Sequence, residues 1–179
     1  MRIIVKLFMV LSLLFSAGAF ASEKEILEAE ANLAVKKFND RVEGGEDFLG
    51  KVKGYLVFPS VMRGGLIFGG EFGRGVLIVN NQTEGYFNMV SGSVGLQIGV
   101  QKRAILIAFV SQRALDSFLS TNGFTVGVDG SLNFANWGTS RDLSTAMLGR
   151  DVIVFAFDET GIMGGVSVDG SKITRINLD

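Results

Sequence analysis

The hydrophobic positions of this chain follow two periods, and the change between them falls near residue 50. From Ser22 onward, apolar residues recur at steps of three and four and form one helical stripe, made of Leu27, Ala31, Ala34, Phe38 and Val42. Ser22 and Glu25 fit the S-x-x-E capping box that opens helices. The pattern predicts a long N-terminal helix that packs on its own domain. A helix lying on a membrane surface is the alternative, and the acidic polar face disfavours it because anionic lipid would repel that face.

Beyond Gly54 apolar residues alternate with polar residues and glycine, which is the period of β-strands. The clearest alternations cover residues 93–101 and 125–134. Further strands are predicted at 55–58, 66–72, 75–80, 85–89, 104–111, 151–157, 162–168 and 172–176. About ten short strands, interrupted by one short helix at Gln112–Leu119, predict a β-rich α+β fold. The architecture expected is an antiparallel sandwich or a barrel that carries the N-terminal helix and the short internal helix.

Glycine occurs often inside these predicted strands. The chain has 24 glycines and one proline. Glycine weakens a strand interior, so its repeated use there has a structural or a functional reason. Bulges, barrel corners or close packing of a helix on the sheet are the simpler explanation. A smooth surface on which a ligand approaches the backbone is the alternative.

The first 21 residues have the three parts of a secretory signal peptide. Arg2 and Lys6 give a positive start, residues 7–15 are almost wholly apolar, and Ala19 and Ala21 supply the small residues read by a signal peptidase. Cleavage is expected after Ala21, and the expected location of the exported protein is the periplasm, either free or peripheral on a membrane. An uncleaved anchor is the alternative, but the apolar run is shorter than the roughly 20 residues that span a bilayer. The predicted organisation is a signal peptide at 1–21, a helix and linker at 22–50, and one domain at 51–179.

Composition narrows the classes of function. The chain has 17 basic and 18 acidic residues, so it lacks the basic excess typical of nucleic-acid binding. It has no cysteine and no histidine, which removes disulfides, the commonest metal ligands and the commonest general base. No cofactor, metal site or catalytic residue is predicted.

Acidic side chains near apolar strands are candidates for a hydrolase centre. Glu71, Asp129 and Asp158 are such residues, and each more often ends a turn or pairs with an arginine than transfers a proton. Ser171 and Lys172 are adjacent, so in a strand their side chains point to opposite faces. A non-catalytic protein is therefore expected, and an unrecognised hydrolase remains an alternative.

Basic residues near the predicted turns suggest a binding surface. The candidate contacts to a lipid headgroup are Lys51, Lys53, Arg63, Arg74, Lys102 and Arg103. If these turns meet at one end of the fold, they form a cationic rim beside exposed apolar residues such as Met62 or Phe87. That combination suits an anionic headgroup at a membrane surface. Ordinary solubilising charge at turns is the alternative.

Four motifs in order from Lys51 to the C-terminus resemble the SYLF domain family. They are KVKGYLVFPSVMRGGLIFGGEFGRGVLIV, GYFNMVSGSVGLQIGVQ, AILIAFVSQRALDSFL and GIMGGVSVDGSKITRI. The resemblance implies a compact β-rich domain without known catalytic activity that binds anionic lipids. It also implies headgroup contacts at Lys51, Lys53 and Arg63, which stand at the family's basic positions. Some fungal and plant relatives bind actin.

Two expectations about partners follow. The first is association with anionic phospholipid or a membrane surface, and actin is not an expected partner of an exported protein. The second is an envelope protein bound without lipid. The N-terminal segment departs from eukaryotic relatives, which begin with a basic amphipathic segment, because SEKEILEAEANL is acidic.

Overall fold

The computed structural model describes residues 21–65, 68–94, 101–121, 124–126, 134–136, 143, 149–158, 161, 168 and 170–178. Three helices and eight strands have bounds within these ranges. The helices are α1 Glu23–Arg41, α2 Gly45–Lys51 and α3 Gln112–Leu119. The strands are β1 Gly54–Gly65, β2 Phe68–Val79, β3 Gln82–Val94, β4 Gln101–Phe109, β5 Phe124–Thr125, β6 Phe134–Asn136, β7 Val152–Phe157 and β8 Lys172–Ile176.

All eight described strands join in one sheet, in the order β5-β8-β3-β2-β1-β4-β7-β6. Every neighbouring pair is antiparallel except β6 and β7, which run parallel. The β-rich, mainly antiparallel prediction is therefore confirmed. The sandwich is not, because the described strands do not divide into two facing sheets. Nor do they close a barrel, since β5 and β6 end the order.

The predicted strand count is too high because neighbouring segments merge. Of the predicted segments 66–72 and 75–80, residues 68–72 and 75–79 belong to one strand, β2, which continues through Gly73 and Gly75. Residues 66–67 lie outside the described residues. Strand β3 extends from the predicted 85–89 into the alternating segment that begins at residue 93. Residues 95–100, 127–133 and 162–167 of the predicted strands lie outside the described residues.

Helix α1 confirms the N-terminal prediction. The Ser22 hydroxyl accepts from the Glu25 amide at 3.2 Å, and the Ser22 amide donates to the Glu25 carboxylate at 2.9 Å, which completes the capping box. The predicted stripe is buried against the sheet. The segment expected to be a linker differs, because Gly45–Lys51 is the helix α2. Gly44 before it has a φ of 72°, a left-handed conformation that glycine adopts without strain.

The sheet is covered on both faces over its centre. On the α1 face, Phe38 and Phe48 of the helices pack against Phe155 of β7, with ring centroids 4.8 and 5.4 Å apart. On the α3 face, Phe118 packs against Phe109 at 5.0 Å. Each helix covers only part of its face, so the ends of the long strands β1, β2 and β3 extend past the helices.

Two strand glycines permit close packing at a bulge. The register between β1 and β2 shifts between Val57 and Ser60, where Pro59 interrupts the alternation. A Cβ atom at Gly75 would lie 2.6 Å from the Phe58 ring and 2.7 Å from the Val57 carbonyl oxygen. A Cβ at Gly73 would lie 2.8 Å from the Val61 side chain. The structural explanation of strand glycine therefore holds at these two positions.

We expect Gly75→Ala to lower the free energy of unfolding by about 1–3 kcal/mol, because the added methyl group overpacks backbone and a buried ring. Urea denaturation measures this loss. Gly92→Ala is the matched control, since nothing lies within 4 Å of a Cβ at Gly92, in the same sheet. A Gly75→Ala protein as stable as the Gly92→Ala protein would show that β1 moves away from β2 at little cost.

Candidate functional site

The predicted basic residues lie at two ends of the sheet. Lys51 ends α2 and Lys53 directly precedes β1, whereas Arg63 lies near the other end of β1. Lys53 and Arg63 are ten positions apart along the strand, so they are roughly 30 Å apart at the usual rise per residue. Lys102 and Arg103 lie at the Arg63 end, since they begin β4 and pair with β1 there. The structure thus does not gather the six residues into one rim.

Their local setting also differs from the prediction of turns. Arg63 lies within β1, Arg74 within β2, and Lys102 and Arg103 within β4. The turn prediction was wrong because charged residues interrupt the apolar pattern inside strands that extend past the helices. Alternation along each strand then sends neighbouring charges to opposite faces of the sheet.

On the α3 face, Arg63 and Arg103 converge on one buried carboxylate. An Nη of Arg103 lies 2.6 Å from one oxygen of Glu71, and the Nε of Arg63 lies 3.3 Å from the other. The side chains of Glu71 and Arg103 are 7% and 8% exposed, and that of Arg63 is 26% exposed. Arg103 is therefore not part of an exposed rim. We call these three residues the Arg–Glu–Arg triad.

On the α1 face, ionic and polar contacts hold the N-terminal half of α1 against strands β2 and β3. Arg74 of β2 pairs with Glu23, and the Tyr86 hydroxyl of β3 donates to the Glu28 carboxylate. Lys24 stacks over the Tyr86 ring, 5.5 Å from its centroid. Burial, and then the Glu28 carboxylate, raise the pKa of Tyr86 to about 12, which keeps its hydroxyl protonated as a donor. Arg74 is thus engaged by α1.

Three exposed apolar side chains form a row across the α1 face, beside α1. Met62 of β1 is the register partner of Phe72 of β2, and Phe72 is the partner of Val90 of β3. They are 54%, 47% and 53% exposed. We call this row the apolar stripe. Exposure of Met62 was expected, whereas Phe87, the other apolar candidate, is buried on the α3 face.

An exposed lysine continues the apolar stripe at each end. Lys102 of β4 pairs with Met62, and Lys172 of β8 pairs with Val90. With neighbouring strands about 4.8 Å apart, the row from Lys102 to Lys172 crosses five strands and is roughly 19 Å long. Lys102 belongs to the predicted set, but sequence reasoning missed Lys172. Its relation to the stripe depends on the pairing of β8 with β3, and no local pattern shows that pairing.

A groove lies next to the Lys102 end of the stripe. It has a volume of about 260 Å³ and runs between α1 and the start of β4. Leu33 and Pro59 give it apolar walls. Its charges are mixed, with Lys37 and Lys102 beside the acidic Glu30 and Asp158. Apolar surface and lysine therefore occur together on this part of the α1 face as well.

The described residues hold no group of three or more acidic side chains that could bind a metal. Glu71 belongs to the triad, and the Asp158 carboxylate accepts from the Gly161 amide at 3.1 Å. Asp129 lies outside the described residues. No helix in the described ranges is long and apolar enough to cross a membrane. What the apolar stripe and its flanking lysines offer chemically is noncovalent contact to an apolar and anionic surface. The exposed acidic side chains of α1, such as Glu25 and Glu30, would repel an anionic surface.

Comparison with known proteins confirms the family resemblance in part. Residues 90–177 match the family described as "Ysc84: Las17-binding protein actin regulator", the family of SYLF domains. The chain is 31% identical over 130 residues to the SH3 domain-containing protein PJ696.02 of Schizosaccharomyces pombe, covering 67% of this chain and 30% of that protein. It is 29% identical over 133 residues to protein YSC84 of Saccharomyces cerevisiae, covering 70% and 28%. The chain thus spans less than a third of the length of these relatives.

Proposed function

We propose that the protein is a non-catalytic binding module that docks the apolar stripe and its flanking lysines on anionic phospholipid headgroups. One observation carries the proposal: three large apolar side chains are exposed in one row of a sheet, with a lysine at each end. Exposed apolar side chains of soluble proteins are usually scattered singly. The family match supports a binding module, and the lipid ligand is the proposal.

Electrostatic attraction and apolar burial would together hold the protein in a shallow contact with the membrane surface. Each lysine near an anionic surface contributes about 1 kcal/mol, and this attraction falls off within a Debye length. The apolar stripe adds burial among the upper acyl chains at about 25 cal/mol per Å² of apolar surface. Binding is therefore expected to be weak, reversible and salt-sensitive.

Export is part of the proposal. The positive start, apolar run and Ala19-Phe20-Ala21 favour cleavage before Ser22, which is also the N-cap of α1. A protein that begins at Ser22 keeps the whole capping box. The N-terminal mass of protein recovered from an exporting host tests this, and an uncut chain in the membrane fraction would contradict it.

Charge reversal at the ends of the stripe tests the lipid ligand. We expect Lys102→Glu with Lys172→Glu to weaken binding to phosphatidylglycerol vesicles at least about tenfold, since two attractive charges become repulsive. The measurement is cosedimentation of the exported protein at low salt. Lys51→Glu with Lys53→Glu is the matched control. It makes the same change in net charge at the other end of β1, so vesicle binding should fall only by the small nonspecific effect of net charge.

Two outcomes would contradict the proposal. One is binding that is unaffected both by high salt and by the Lys102 and Lys172 changes. The other is greater loss from the Lys51 and Lys53 changes, which would place the lipid contact at the start of β1. Phosphatidylcholine vesicles provide the neutral reference surface.

A protein partner is the second candidate. The matched family is described as a Las17-binding protein actin regulator, so a protein ligand is plausible, and the comparisons do not support the expectation that actin is excluded. The same apolar stripe would then pack against a protein surface. Absence of vesicle binding together with a one-to-one complex isolated from envelope extract, lost in Phe72→Asp, would favour this candidate.

A further inference from the structure

The Arg–Glu–Arg triad carries more positive than negative charge. Two guanidinium groups share one carboxylate, so the triad has a net charge of about +1 at neutral pH, because arginine stays protonated. Most of it is withdrawn from water, since Glu71 and Arg103 are almost fully buried. A buried charge without a counter-charge is strongly unfavourable.

The triad also has hydrogen-bond donors without acceptors. The Nε atoms of both Arg63 and Arg103 are buried and have no hydrogen-bond partner among the described residues. Arg63 contacts Glu71 as an ion pair at 3.3 Å, but not with hydrogen-bond geometry. Buried polar groups in folded proteins are nearly always paired, so orphaned donors on two neighbouring cations leave hydrogen-bonding capacity for an acceptor.

The triad is reachable from solvent and separate from the stripe. Arg63 is 26% exposed, so one side of the triad is open. Arg63 alternates with Met62 along β1, and Glu71 alternates with Phe72 along β2. The triad therefore opens on the α3 face and the stripe lies on the α1 face, so one flat surface cannot cover both.

We infer that Arg63 and Arg103 form a binding site for a single phosphate-type oxyanion, with Glu71 holding the two guanidinium groups in place. A phosphate oxygen accepts in the plane of an arginine guanidinium and often bridges two donors. A monoanion would neutralise the net charge and supply the missing acceptor. The inference does not depend on the proposed membrane contact. The oxyanion belongs either to a soluble phosphate compound or to a phosphomonoester headgroup.

Thermal unfolding of the purified protein tests the site. Inorganic phosphate is expected to raise Tm by a few degrees above chloride of equal ionic strength, because a ligand that binds only the folded state stabilises it. Arg63→Gln should abolish this increase and weaken phosphate binding in calorimetry at least about tenfold, since one of two charged donors is lost. Arg74→Gln changes a partly exposed arginine that pairs with Glu23 on the other face, and this variant should keep the increase.

Vesicles containing phosphatidic acid distinguish the two sources of the oxyanion. Arg63-dependent binding of these vesicles without a response to free phosphate assigns the ligand to a headgroup, and a response to free phosphate assigns it to a soluble compound. The Lys102→Glu, Lys172→Glu protein should keep the phosphate response even if it no longer binds phosphatidylglycerol. The site is refuted if neither probe binds, if Arg63→Gln responds like the wild type, or if Arg74→Gln loses the response equally.

Discussion

Replacing Phe72 with aspartate is expected to lower affinity for anionic vesicles about 100-fold, because the burial of roughly half a phenylalanine side chain is lost and a repulsive charge is added. Phe72 lies in the middle of the apolar stripe, between Met62 and Val90, and is 47% exposed. Half of its surface therefore contributes nothing to the folded core and is available to a membrane. Cosedimentation with phosphatidylglycerol vesicles over a range of lipid concentrations measures the loss.

Leu119→Asp is the matched control for this change. Leu119 is also an exposed apolar residue, but it ends α3 on the opposite face of the sheet. The substitution adds the same charge, so vesicle binding should fall only by the small effect of net charge. Equal losses in the two variants would mean that nonspecific charge, and not the stripe, governs binding.

The stability of the Phe72→Asp protein must be measured alongside. An exposed strand position tolerates such a change at a cost of about 1 kcal/mol, since strand preferences span that range. Thermal unfolding should therefore show a folded protein at the temperature of the vesicle assay. A variant that stays folded and binds vesicles as tightly as the wild type would contradict a role for the stripe.

Local patterns predicted the elements of this fold where the signal lay within a few residues. Helix α1 has a capping box and a stripe of period 3.6, and α3 was predicted with its observed bounds. Helix α2 was missed because its seven residues contain two glycines and have no side-chain cap. The merging of two predicted strands into β2 was missed for a related reason. A glycine often marks the end of a strand. Gly73 and Gly75 instead lie inside β2, where the missing side chains leave room for the bulge of β1.

For the candidate site, the sequence predicted some of the residues but not which of them lie next to each other. The sequence shows the basic residues and Met62, but strand register decides which of them meet. Register is set by pairings that are distant along the chain, such as Val90 with Lys172. The buried contact between Arg103 and Glu71 could not be predicted for the same reason, because these residues are 32 positions apart along the chain. Alternation within one strand was visible, yet its two faces could not be assigned to a core and a surface.

The Arg–Glu–Arg triad provides the second large expected effect. Glu71→Gln is expected to lower the free energy of unfolding by about 3–5 kcal/mol, because it leaves two neighbouring guanidinium groups without a counter-charge. Glu71 is 7% exposed, so water does not replace the lost carboxylate. Urea denaturation at neutral pH measures the loss. Arg113→Ala removes a pair whose arginine is 62% exposed, and should cost less than about 1 kcal/mol.

Removing the whole triad separates stability from ligand binding. Methionine at positions 63, 71 and 103 together replaces buried charges by apolar side chains of similar length, an exchange that is often neutral or stabilising by about 1–4 kcal/mol. We expect this triple variant to be at least as stable as the wild type and to show no response to phosphate. Such a result would mean that the charges are kept for the oxyanion, because the fold does not need them. If Glu71→Gln costs under about 1 kcal/mol, other groups already compensate the two arginines, and the excess positive charge that attracts an oxyanion is absent.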